Sequence, residues 1–239
     1  MQLDYSIVLN YVPALFHATL MTIAIAVLSQ SIGTICGLFL ALGRTSRFRW
    51  LRNLVLVYVW VFRGTPVLLH LFFIYYAAPS FGLMLEAFPA AIIAFSASSA
   101  AYNCEIIRSG LQAVHPGQAE AAQAVGMRYP SILLRIILPQ AIRVILPAYM
   151  SNCITHTKNT SLASVITVQE LMLTSQMIYS STYRAIEILS FAGLIYLSLT
   201  SALTGLQLWL ERLLQVEKRP LSRAKRERLR ILAEGGREA

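Results

Sequence analysis

The chain has 239 residues, of which 56% are hydrophobic and only 13% charged, against about 25% charged in a soluble domain. Mean hydropathy is +0.60, and the formal net charge is +9. A soluble enzyme is excluded. So is nucleic-acid binding, because the basic residues lie between and after long apolar segments and not on a soluble domain, which is the pattern of a membrane surface.

No Lys or Arg precedes Arg44, so the basic start of a signal peptide is missing, and the first apolar run is too long for one. Ala14 to Leu42 is uncharged and long enough to span a hydrocarbon core of about 30 Å. Arg44, Arg47, Arg49 and Arg52 follow and read as a cytoplasmic loop. Residues 54–78 are apolar around Arg63-Gly64-Thr65-Pro66. Pro66 lacks an N–H and clashes with the turn before it, so this stretch is either a surface helix followed by a short span or one kinked span, crossing once in both cases. Residues 77–87 read as an outside loop. Phe88 to Ile107 is a third helix, rich in Ala and Ser, which let backbones approach closely in lipid.

Residues 108–143 carry Arg108, Arg128, Arg135 and Arg143 against the single acid Glu120 and read as cytoplasmic. Val144 to about Gln169 is a fourth helix, unusually polar through "SNCITHTKNTS". Glu170 to Glu187 reads as outside, and Ile188 to Leu210 is a fifth helix of 23 uncharged residues. The tail from 215 is basic. The expectation is an all-α, polytopic membrane protein. It has five transmembrane helices, the N-terminus outside and the C-terminus cytoplasmic. A permease domain covers 1–214 and a basic cytoplasmic tail 215–239. No duplicated half supports an inverted-repeat transporter.

His115-Pro116-Gly117 breaks one helix, and Glu120 is expected in the first turn of the next, where an acid suits the helix dipole. Ala121, Ala122, Ala124 and Val125 give a short apolar face, which Gly126 can end by adopting positive φ. Such a helix either docks in a partner's groove or packs only on its own domain. Asn152, His156, Lys158, Asn159, Thr160 and Ser161 supply donors and acceptors within the fourth helix. Intramembrane polar residues of this kind face a cavity or a partner. They line a transport route in one reading. In the other, Lys158 snorkels to the interface and the rest hold helices together. Glu105 and Arg108, three apart, form a gate or structural pair. Arg63 is an interfacial anchor or a contact to the cytoplasmic loop. Cys36, Cys104 and Cys153 have neither metal-ligand nor disulfide spacing, so no metal site is expected. No GxxxxGK[ST] occurs, so the chain holds no nucleotide cofactor and is not an ATPase.

Glu120-Ala121-Ala122, three residues, Gly126, nine residues, Ile136, one residue, Leu138-Pro139 resembles the EAA signature of ABC importer permeases. "RGTP" at 63–66, "AYNCEIIRSG" at 101–110, "HPGQAEAAQAVG" at 115–126 and "KNTSLASVI" at 158–166 resemble the polar amino-acid permeases, the histidine and opine branch above all. The resemblance runs from about Pro13 to Leu214. It implies a type I permease in the bacterial inner membrane. The implied partners are two ATP-binding subunits carrying ATP and Mg, a second permease (the same chain or a homologous one) and a periplasmic binding protein. The implied substrate is an amino acid or a related small polar solute. Glu120, Ala121, Ala122 and Gly126 then form the ATPase-coupling helix. The chain departs from the family where Asn159 replaces its common Asp. The rival readings are a structural or assembly subunit of the membrane with no transport route, and an ion-driven secondary transporter.

Overall fold

The computed structural model describes residues 5–214, which are helical nearly throughout. The basic tail expected over 215–239 lies outside the described residues. Helix α1 runs Ser6–Arg44, longer than the expected span at both ends, and carries Pro13 at its eighth position. Proline disturbs only the turn before it, so the helix tolerates Pro13 near its start better than at its middle. Helix α2 (Arg49–Gly64) meets α3 (Val67–Phe72) at a bend of 106°. Thr65 and Pro66 are extended there, so the two-helix reading of residues 54–78 holds over the single kinked span. α3 continues through a π-turn at Phe73–Ala77 and a short 3₁₀ turn at Ala78–Phe81.

Helix α4 (Ala87–Gln112) is the core of the molecule; Ala90, Ala91, Ala94, Phe95 and Ala101 are fully buried. A short helix α5 (Pro116–Ala124) leads to α6 (Tyr129–Ile132), which joins α7 (Leu138–Asn159) through a π-turn at Leu133–Ile137. A 3₁₀ segment, Thr160–Ile166, extends α7. Four helical stretches are long and apolar enough to cross a membrane, or five if the bent α2–α3 pair is one span.

The seam between α1 and α4 orders the rest. Gly33 lies against Ser99 and Gly37 against Asn103, so the two helices run parallel in a constant register. A Cβ on Gly33 would stand 2.6 Å from Ser99 Cβ, and one on Gly37 2.8 Å from Asn103 Cβ. Gly33 and Gly37 form a GxxxG pair whose missing side chains permit this approach. α7 runs antiparallel to both, because Asn103 meets Asn152 while Ser29 meets His156.

The segment expected on the outside, 170–187, is largely a helix, α8 (Leu171–Thr182), followed by α9 (Ala185–Leu214). Glu170 is fully buried and caps α8, accepting from the backbone N–H of Met172 and Leu173 at 2.9 Å each and from Tyr196 Oη at 2.8 Å. Burial pushes its carboxyl pKa up, and these bonds push it back part of the way. An acid counted in sequence only as a charge on the outer side is a helix cap that ties α8 to α9.

This arrangement carries a topological expectation. Cysteines at Ser6 and Ser180 should react with an impermeant maleimide from one side of intact cells, and a cysteine at Met127 from the other. Ser6 and Met127 labelling from the same side would break the five-crossing count.

Candidate functional site

Over two turns of α7, Asn152, Thr155, His156 and Asn159 share a face. With Phe95, Ser98, Ser99 and Tyr102 of α4 and Val67 of α3 they line a cavity of about 120 Å³. The spacing 152, 155, 156, 159 follows the helical repeat, so a single helix presents all four. The lining is uncharged: amides, hydroxyls and one imidazole stand among Val67 and the Phe95 and Tyr102 rings.

Three of the six polar residues expected on this helix therefore come together, Asn152, His156 and Asn159. The other three do not line the cavity. Lys158 is exposed. Thr160 is fully buried and donates to the carbonyl of Thr157 at 2.8 Å. Ser161 donates to the carbonyl of Lys158 at 2.8 Å.

The cavity wall is held from behind. His156 Nε2 lies 2.7 Å from Ser29 Oγ, and its ring packs edge-on to Phe95 at 5.7 Å between centroids. Asn152 Nδ2 donates to Asn103 Oδ1 at 3.1 Å, and Asn103 Nδ2 donates to Ser99 Oγ at 3.1 Å and Thr34 Oγ1 at 3.2 Å. Ser99 Oγ donates to Gln30 Oε1 at 2.7 Å, and Thr34 Oγ1 lies 3.0 Å from Tyr149 Oη. α1, α4 and α7 are thus joined by one network of neutral groups. In a low-dielectric interior such a network is favourable only when its members are paired. Gln30, Thr34, Ser99 and Asn103 were not singled out in the sequence. Their signal was present in the Gly33 and Gly37 pair, which predicts a close helix contact at that height.

Below Tyr102 the same helix carries Glu105. Arg108 binds it through Nη2 at 2.7 Å and Nε at 3.1 Å, so the expected pair forms. Two further arginines join. Arg44 Nη2, at the end of α1, stands 3.6 Å away, and Arg63 Nη1, at the end of α2, 3.8 Å. Arg63 also lies over the Tyr102 ring at 5.4 Å from its centroid. Arg63 is thereby placed in the Glu105 cluster, at the foot of the cavity.

The sequence "EAA" stretch forms α5. His115 caps it, its Nδ1 accepting from Gly117 N–H at 3.1 Å, and Pro116 occupies the first helical position. The helix thus begins a turn earlier than expected, and Glu120 falls in its second turn, away from the dipole end. Its C-terminus closes as a Schellman motif. Gly126 N–H donates to Gln123 O at 2.9 Å and Met127 N–H to Ala122 O at 3.1 Å, with Gly126 at φ +80°. Only Ala122 of this helix is buried. Glu120, Ala121, Ala124 and Val125 are exposed, Val125 by 77%. A rigid, capped helix therefore projects a small apolar face away from its own domain.

Among the described residues no group of three or more His, Cys, Asp or Glu could hold a metal ion.

Residues 33–216 match the model of the family described as "Binding-protein-dependent transport system inner membrane component". The chain is 38% identical over 219 residues to the arginine transport system permease protein ArtQ of Bacillus subtilis, covering 90% of this chain and 99% of that one. It is 39% identical over 215 residues to the octopine transport system permease protein OccM of Rhizobium radiobacter, covering 86% and 88%. A crystal structure described as an amino acid ABC transporter with histidines superposes with a TM-score of 0.84 at 36% identity, covering 89% of this chain and 99% of that one. The uncharged cavity, the four to five helical crossings and the projecting capped helix are thus those of a multi-pass permease, and the chain belongs to the family of inner membrane components of binding-protein-dependent transport systems.

Proposed function

We propose that this chain is the permease subunit of an ATP-driven importer that carries amino acids or related small polar solutes, such as opines, across the bacterial inner membrane. The observation that carries this reading is continuity. The uncharged cavity is built on α4 and α7, and the same two helices flank the projecting helix α5. A displacement of α5 by a docked ATPase reaches the cavity walls through the short joints at 113–115 and 125–128. Such a path supports coupling but does not by itself demonstrate it.

In this reading Asn152, His156 and Asn159 contact the solute, and their amides and imidazole bind its ammonium and carboxylate groups. Glu120, Ala121, Ala122 and Gly126 seat against an ATP-binding subunit, present in two copies, which carries ATP and Mg. A second permease, identical or homologous, completes the pathway, and a periplasmic binding protein delivers the solute. The N-terminus faces outward.

Loss of one hydrogen bond to the solute costs about 1 kcal/mol, or roughly fivefold in affinity. Asn159→Leu and Asn152→Leu should therefore reduce uptake of the best substrate in an amino-acid panel at least fivefold at equal membrane level. Lys158→Met, outside the cavity, should leave uptake at the parental rate. A strong loss in Lys158→Met with none in Asn159→Leu would move the route to the other face of α7.

For the coupling helix, Gly126→Val forces a β-branched residue into positive φ. Glu120→Lys reverses the one charge on the projecting face. Both should leave the permease inserted while ATPase co-purification falls or hydrolysis proceeds without uptake. Parental co-purification and uptake in both variants would make α5 a connector only.

A further inference from the structure

A second concavity lies away from that cavity. The last two turns of α1 and the first turns of α2 diverge from the tight loop 45–48 and leave an open groove of about 740 Å³. Cys36, Phe39, Leu40, Leu51, Leu54 and Tyr58 line it, and the lining is overwhelmingly apolar. Its floor is fixed, because Val55 and Gly43 are buried and a Cβ on Gly43 would stand 3.1 Å from Val55. The turn that closes it is different in character. Arg47 on that loop and Arg49 and Arg52 in the first turn of α2 are exposed, and no carboxylate pairs with them among the described residues, in contrast to Arg44, which is drawn into the Glu105 cluster; Arg47 lies over the Phe48 ring at 5.0 Å from its centroid. Phe48 and Trp50, 50% and 67% exposed, flank the arginines as aromatic residues do at a membrane interface.

From an apolar slot closed by a turn that carries three exposed arginines without a carboxylate partner, we infer that the groove between α1 and α2 binds an anionic phospholipid, with an acyl chain along Phe39, Leu40 and Leu54 and the phosphate on Arg47, Arg49 and Arg52. A zwitterionic lipid would fill the slot equally well but would gain less from three cations. A protein partner would have to supply carboxylates and an apolar wedge together. A bilayer with anionic lipid offers both chemistries on one molecule.

Each basic residue near an anionic surface contributes roughly fivefold in affinity, so removing three should weaken binding roughly 100-fold. The test is a lipid titration of the full-length, delipidated protein in mild detergent, read by native mass spectrometry, with phosphatidylglycerol and phosphatidylcholine as probes. Phosphatidylglycerol should be retained at concentrations where phosphatidylcholine is not. The triple variant Arg47→Gln, Arg49→Gln, Arg52→Gln should lose that retention. Leu54→Trp, which fills the slot and keeps the arginines, should weaken it too, and soluble glycerophosphoglycerol, which has no chains, should not compete. Equal retention of the two lipids, parental binding in either variant, or competition by the chainless headgroup would overturn the assignment. Displacement of the lipid by the ATP-binding subunit would overturn it as well, making the groove a protein interface.

Discussion

Glu105→Ala is expected to destabilise the permease by about 3 kcal/mol, because it leaves three guanidinium groups facing one another with no counter-charge. The side chains of Glu105 and Arg44 are each 16% exposed and that of Arg108 28%, so solvent relieves only part of the repulsion. Arg63, 43% exposed, contributes least. A chain of this size shifts by roughly 2–4 °C per kcal/mol, so the thermal midpoint of the purified protein should fall about 6–12 °C. The double variant Glu105→Ala, Arg44→Leu should recover part of the loss, because it removes one of the stranded charges; a cycle with both single variants measures that coupling. An unchanged midpoint in Glu105→Ala, or no recovery in the double variant, would reduce the cluster to a solvated face.

Gly37→Leu should have a larger effect and abolish recovery of folded protein. The Cβ alone meets Asn103 Cβ at 2.8 Å, the carbonyl of Ala100 at 3.0 Å and the Cys104 amide at 3.1 Å. Two of these are helix backbone and cannot swing aside, so α1 must separate from α4 and break the Thr34 to Asn103 bond with it. Gly33→Leu should behave alike. The internal controls are Gly193→Leu and Gly205→Leu, where nothing lies within 4 Å of an added Cβ. Size-exclusion profiles of fluorescent fusions should show collapse for the first pair and parental peaks for the second. A parental peak for Gly37→Leu would mean that the α1–α4 seam opens without cost.

Much of this architecture can be read from charge and hydropathy. Arginine clusters separate the apolar runs, and His115-Pro116 and Gly126 bracket α5 because proline and positive-φ glycine are local signals that tertiary context rarely overrides. Helix α5 starts a turn before the position that Glu120 as a dipole-end acid implies, because Pro116 already opens it. The polar face of α7 was recognisable as a set, but six candidates reduce to three at the cavity. Which side of a helix faces a cavity depends on where its neighbours pack, and composition alone does not encode that. Glu170 illustrates the same limit: its carboxylate is a cap in a buried corner only because Tyr196, far along the chain, turns toward it. Arg63 was undecidable because its partner Glu105 lies on a different helix.

The hydrogen-bonded seam of Gln30, Thr34, Ser99, Asn103, Tyr149 and Asn152 has an electrical consequence. Its members are dipoles, and hydroxyls and amides can exchange donor and acceptor positions without any ion changing depth. A full charge moved through 100 mV exchanges about 2.3 kcal/mol with the field. A rearrangement of this seam exchanges almost none, so a cell's resting voltage has little purchase on this contact between α1, α4 and α7. In the proposed importer the work that separates them arrives mechanically, through the ends of the helices, and a collapsed membrane potential should leave this seam's part of the motion intact.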